Sequence, residues 1–349
     1  MPYISITSST GPLDVHYSIA TPTSPKAKSI VSYLPSVLFL HSGYIAQEIF
    51  ETQFADPELR RFNLIAIDMR TFGETRGMIG KGRYTPTESA EDVYLFMEAL
   101  KLPPCHIFGL AIGSTVALEL AAAHPNRVRS LTLCSPLTPT EPEHVIAGRL
   151  EIHECWVKGA PHNVEEDPEA EIDQELVSDV VLGVTQLLFN NESNELISAI
   201  VNNGLAQAMH NLSGTPDKIK ESYKNAVAWF IDRAAIPESA LKKIQGPVSI
   251  IHCSEDLGYP LENAMNLAEQ LRSAGASSVE FHQVPGPHYG NVTSAALINP
   301  ILRDTVLSCE NSTTPPPSPV PTNKEKMITP FSEKLDKYGY NPQDDYDSE

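Results

Sequence analysis

The chain has 349 residues, 41% of them apolar, and a formal net charge of −19 at neutral pH. Such a length accommodates one large α/β domain, or a core domain with an insertion, and the apolar content is that of a soluble domain. The acidic balance argues against nucleic acid and anionic lipid as partners, because both need concentrated Lys and Arg.

The N-terminal stretch MPYISITSSTGPLDVHYSIA has neither the basic n-region nor the apolar h-region of a signal peptide. No run approaches the roughly 20 apolar residues of a membrane span. The five cysteines, Cys105, Cys134, Cys155, Cys253 and Cys309, are scattered and odd in number, so they read as reduced core residues of a cytoplasmic protein. No internal repeat is visible. A monomer or homodimer is expected.

In chain order, YISIT (3–7) and LDVHYSIA (13–20) read as two leading strands that form a hairpin around Thr10–Pro12. SVLFLH (36–41) is a buried strand, with a helical stretch over Ala46–Phe54. NLIAIDM (63–69) follows as a strand, and Thr87–Leu100 has the i, i+3, i+4 apolar spacing of a helix. CHIFG (105–109), the helix STVALELAAAH (114–124) and the strand RSLTLCS (129–135) complete the first half. Short β-branched runs alternating with helices predict a mostly parallel sheet covered on both faces.

From Pro136 to Gln245 no strand is predicted, and Glu143–Trp156, Glu175–Phe189, Ser193–Asn211 and Asp217–Asp232 read as helices around the acidic connector NVEEDPEAE. Strands resume at PVSIIHC (247–253), followed by a helix over Leu261–Ala274, the strand SVEFHQV (278–284) and a helix from Asn291 to about Leu307. The chain thus divides into a core of residues 1–136 and 246–310, a helical lid of 137–245, and a tail of 311–349. The tail opens on STTPPPSPVPTNKEK, and its proline density and few aliphatics predict no core of its own.

The segment CHIFGLAIGSTVALELAAAHPNRV carries the strongest signal. A buried strand ends at Gly109 and a helix begins at Gly113. Glycines two residues either side of Ala111 let that position sit on a strained strand-to-helix turn, its side chain projecting over the sheet edge. The helix N-terminus behind it offers free N–H groups to an oxyanion.

Five segments in order resemble the α/β-hydrolase superfamily: LHSGY, IDMRTFGETRG, IFGLAIG, SEDLGYP and VPGPHYG. The resemblance covers roughly residues 1–309 and is nearest to the capped hydrolases of fungi. It implies an α/β-hydrolase fold, with a mostly parallel eight-stranded sheet, helices on both faces and an inserted helical lid. It implies Asp256 as the acid of a catalytic triad, His288 as its general base, and Gly43 with the N–H of Ile112 as the oxyanion hole. The family places Ser, Cys or Asp at the elbow, and this chain has Ala111. A methyl group forms no covalent intermediate. Loss of a triad nucleophile costs about 10⁶ in rate, near 8 kcal/mol, while an oxyanion hole and binding retain about 10³–10⁴ over water.

Each candidate has a competitor. Glu255 reads as solvated, and Glu141 and Glu143 are the alternative acid positions. His41 packs behind the oxyanion hole more often than it acts in it, and Ser42 stands where the family has glycine. Ser114 should point away from the site, leaving Ser42, Tyr44 and Cys253 as substitute nucleophiles. Tyr44, Trp156 and Trp229 are the candidate substrate contacts, and an aromatic lid favours an apolar substrate. The acidic stretch Glu165–Glu175 disfavours anions. The sequence shows no H-E-x-x-H, no C-x-x-C and no phosphate loop, so neither metal nor cofactor is expected.

Three functions remain open. One is an enzyme using the Asp256–His288 dyad on a small apolar ester, lactone or carbonyl-type metabolite, as a hydrolase, lyase or cyclase. The second is a non-catalytic pseudo-hydrolase binding a small ligand or partner. The third is a serine hydrolase whose nucleophile was replaced by Ala111.

Overall fold

The computed structural model describes residues 2–162, 171–310 and 327–341. Eight strands form one sheet in the order β1-β2-β4-β3-β5-β6-β7-β8. They are β1 (Tyr3–Ser8), β2 (Gly11–Ala20), β3 (Ser36–Leu40), β4 (Asn63–Ile67), β5 (Cys105–Leu110), β6 (Val128–Cys134), β7 (Val248–Cys253) and β8 (Val279–Val284). β1 and β2 form an antiparallel hairpin, β2 lies antiparallel to β4, and every remaining pairing is parallel. Every residue of β3, β4, β5 and β7 is buried, which is why these segments read as mostly apolar runs.

The helices in chain order begin with α1 (Glu51–Phe54), α2 (Pro86–Ala99) and α3 (Ile112–Ala123). After β6 come α4 (Glu143–Gly159), α5 (Gln174–Phe189), α6 (Glu195–Leu212), α7 (Pro216–Tyr223), α8 (Trp229–Ile231) and α9 (Glu238–Leu241). α10 (Leu261–Ala274) joins β7 to β8, α11 (Gly290–Thr293) and α12 (Ala295–Cys309) follow β8, and α13 (Ser332–Asp336) lies near the C-terminus. Among the described residues no strand interrupts the helices between β6 and β7, so the sheet continues across a purely helical insertion. The acidic connector at 163–170 lies outside the described residues. No described helix is long and apolar enough to cross a membrane.

Three predicted helices are broken, the one from Asn291 to about Leu307 at Ser294, between α11 and α12. The stretch over Ala46–Phe54 is a 3₁₀ turn, Gln47–Phe50, followed by α1. The stretch Asp217–Asp232 is interrupted by a π-helical turn, Lys224–Ala228, between α7 and α8. A π turn leaves no mark in the apolar spacing of so short a segment.

The C-terminal segment corrects the expectation of a tail without core contacts. Residues 311–326 and 342–349 lie outside the described residues, but 327–341 pack against the core. Phe331 and Leu335 are fully buried, and the Phe331 ring lies 5.0 Å from that of Phe54. Met327 N–H donates to the Ala55 carbonyl, and Arg60 Nη1 donates to the Ile328 carbonyl. Lys334 Nζ bridges Glu48 and Glu74, each at 2.6 Å. Glu48 follows the loop after β3 and is fully buried, so this lysine supplies the cation its carboxylate needs.

Candidate active site

The turn between β5 and α3 places Ala111 at φ 49°, ψ −104°, a backbone that L residues rarely adopt. Its glycines are dictated by close approach. A Cβ on Gly113 would lie 2.0 Å from the Leu40 carbonyl oxygen, and one on Gly109 2.5 Å from that of Gly113. Ala111 N–H donates to the Cys134 carbonyl at 2.9 Å, pinning the turn to β6. Ser114 turns into the sheet, donating to the Gly109 and Cys134 carbonyls, and so cannot substitute for a nucleophile.

Asp256 follows β7 and His288 follows β8, and the two meet. His288 Nδ1 is 2.6 Å from Asp256 Oδ2, with the side chains 3% and 1% exposed. The other carboxylate oxygen accepts the N–H groups of Gly258 and Tyr259, at 2.9 and 3.0 Å. A carboxylate held on both oxygens fixes Nδ1 as the protonated nitrogen and leaves Nε2 as the basic one. The imidazole lies between the rings of Tyr259 and Tyr289, at 4.9 and 5.4 Å.

The loop after β3 connects these parts. Tyr289 donates its hydroxyl to the Gly43 carbonyl. A Cβ on Gly43 would lie 3.1 Å from Ile112 Cδ1, so the loop rests against the elbow. His41 lies behind it, accepting the Met69 N–H at Nε2 and donating from Nδ1 to the Ser42 carbonyl. Burial holds its pKa below the ordinary value, so it stays neutral and structural. Ser42 and Cys253 are both buried. Cys253 Sγ accepts from Ser135 and would lie 2.5 Å from a Cβ on Gly290, so it is packed beneath the histidine loop.

Glu141 is not the acid of this site. Its carboxylate is buried between Arg149 Nε and Arg233 Nη2, at 2.7 and 2.8 Å, and also accepts the Tyr259 hydroxyl. Burial pushes its pKa up, but the two guanidinium groups, Arg149 foremost, more than reverse this and hold it below the ordinary value. Arg149 also donates to the hydroxyls of Tyr44 and Tyr259 and lies over the Phe230 ring. The cluster fastens the insertion to the loop after β6. Glu143 begins α4, and Glu255 accepts from the Gly286 N–H.

A chamber of about 90 Å³ lies between the insertion and the loop after β3. Gly43, Tyr44, Trp156 and Phe230 are among its walls, whereas Ala111, Asp256 and His288 are not. Trp156 donates its indole N–H to the Leu212 carbonyl. Trp229 is a correction: its indole N–H reaches Ser89 of α2, away from the chamber, and its neighbour Phe230 forms the wall instead. Sequence reasoning missed Arg149, Arg233 and the roles of Tyr259 and Tyr289. The two tyrosines had a signal, since both lie within three residues of the acid or the histidine. The arginines had none.

Residues 35–293 match the family described as the alpha/beta hydrolase fold. RutD of Caulobacter segnis, a candidate carbamate hydrolase, is 23% identical over 266 residues, which cover 75% of this chain and 88% of that protein. RutD of Variovorax paradoxus is 39% identical over a shorter match of 70 residues, 20% of this chain and 26% of that protein. Among solved structures, a thermophilic esterase from Thermogutta terrifontis superposes with a TM-score of 0.64 at 16% identity, covering 88% of this chain and 99% of its own. The enol-lactonase of Burkholderia xenovorans gives a TM-score of 0.61 at 18% identity, covering 88% and 100%. At these identities the structural likeness speaks for the fold.

Proposed function

Because the chain belongs to the α/β hydrolase fold family, we propose that it is an enzyme acting on a small apolar ester, lactone or carbonyl compound through Asp256 and His288, without a covalent intermediate. The observation that carries this reading is the 2.6 Å contact between His288 Nδ1 and Asp256 Oδ2. Asp256 holds the imidazole in one tautomer, and Nε2 takes a proton from water or from the substrate. The Ile112 N–H and the Gly43 loop stabilise the oxyanion that results. The methyl of Ala111 leaves general-base chemistry, rather than acyl transfer, as the route open to the dyad. Helices α4 to α8 serve as the lid, with Tyr44 and Trp156 facing the substrate.

A second reading has its own observation. The chamber stops short of the dyad, with Phe230 and Ile112 packed over Gly43, which favours a ligand-binding protein descended from an enzyme. Hydrolysis of a short aryl ester by the unaltered chain, by Ala111→Ser and by His288→Ala separates the readings. Turnover in the unaltered chain that vanishes in His288→Ala supports the dyad mechanism. A burst of product only in Ala111→Ser identifies a hydrolase disabled at its nucleophile. Inertness of all three proteins sinks the catalytic reading.

A further inference from the structure

The chamber contains a polar side chain without a partner. Asn225 is 8% exposed and lines the chamber, and its amide has no hydrogen-bond partner among the described residues. The amide stays open to the chamber and is free to pair with whatever enters it. The π turn accounts for its position. Asn225 and Phe230 are five residues apart, about 140° around an α-helix, yet both face the chamber because the wider turn brings them into line. Such turns are frequent at functional sites.

His153 and Ser222 stand on the same wall. Ser222 commits its only proton to the Ile219 carbonyl at 2.7 Å, so the 3.0 Å contact with His153 is donated by the imidazole Nε2–H. That leaves Nδ1 as an acceptor on a ring kept neutral by burial. The remaining walls are mostly apolar, among them Trp156, Val184 and Leu205, and no Asp, Glu, Lys or Arg is among the described residues that line the chamber.

We propose that the chamber is a binding site for a small neutral molecule with an apolar body and one alcohol or ketone oxygen, which Asn225 recognises. The proposal names the ligand class for the function put forward above and rests on the chamber being where that ligand enters. A dry apolar cavity of about 150 Å³ accepts benzene. At about 90 Å³ this chamber suits roughly four non-hydrogen atoms, or a slightly larger molecule that widens it.

The test uses three shape-matched probes, butan-2-one, butan-2-ol and 2-methylbutane, with the full-length chain, both unaltered and as His288→Ala. Binding is read from the side-chain amide resonances of Asn225, so a failure of dyad chemistry leaves this measurement intact. Butan-2-one or butan-2-ol should bind at least about tenfold more tightly than the hydrocarbon in both proteins and should shift the Asn225 amide. Asn225→Leu should abolish that preference while retaining the hydrocarbon. Equal affinity for all three probes, a preference that survives Asn225→Leu, or an Asn225 amide that does not move overturns the proposal.

Discussion

The hydroxyl of Tyr289 donates to the carbonyl of Gly43 at 2.8 Å, tying the loop that carries His288 to the loop after β3. Both residues are buried. Tyr289→Phe therefore leaves a carbonyl without its partner, at a cost of about 1–3 kcal/mol. Urea denaturation of the two proteins measures it. A variant as stable as the parent shows that packing alone holds the loops together.

Glu141 gives the fold an acid-sensitive joint. Its folded-state pKa lies below the ordinary 4.5, because Arg149 and Arg233 outweigh the effect of burial. The stabilisation is complete above the unfolded value, near 4.5, and is lost as pH falls below it through the folded value. Glu141→Gln strands two buried guanidinium groups and should cost about 3–5 kcal/mol at pH 7. The variant should also lose less stability than the parent as pH falls below about 4.5. Parallel stability curves for the two proteins exclude Glu141 as the titrating group.

Lys334 is the counterpart for the C-terminal segment. It neutralises Glu48, a buried carboxylate whose pKa burial nevertheless raises, so protonation offers that carboxylate a partial escape once the lysine is gone. Lys334→Met should cost about 1–3 kcal/mol, less than a fully buried pair would. Trypsin should then cut faster after Lys337, the lysine left in the segment 327–341. Unchanged cleavage and stability mean that the Phe331 and Leu335 contacts hold the segment alone.

What the sequence made legible follows from how each contact is encoded. β3, β4, β5 and β7 could be read because a strand buried on both faces is written as a mostly apolar run, whereas the partly exposed β1 was legible from its alternation of Ile with Ser and Thr. The elbow was legible because the close approaches at Gly109 and Gly113 admit no Cβ. The Glu141–Arg233 pair joins positions 92 residues apart, and no local pattern carries it. The direction of Trp229 depends on the π turn that precedes it, and α-helical spacing put the wrong aromatic on the chamber wall. The buried Phe331 and Leu335 do lie at helical spacing, but they sit in a charged, proline-flanked context that reads as solvated.

The backbone of Ala111 gives a last measurable consequence. At φ 49°, ψ −104° a residue with a Cβ is strained, by about 1–3 kcal/mol for conformations of this kind. Glycine adopts this conformation freely, at about 0.5–1 kcal/mol of added unfolded-state entropy. The relief exceeds that entropy, so Ala111→Gly should raise stability by about 1 kcal/mol, visible as a higher urea midpoint at unchanged slope. Ala111→Ser should leave the midpoint where it is, since it keeps the Cβ and adds only a hydroxyl. A glycine variant less stable than the parent means that the turn is held by the methyl's packing in the buried elbow and that the conformation carries little strain.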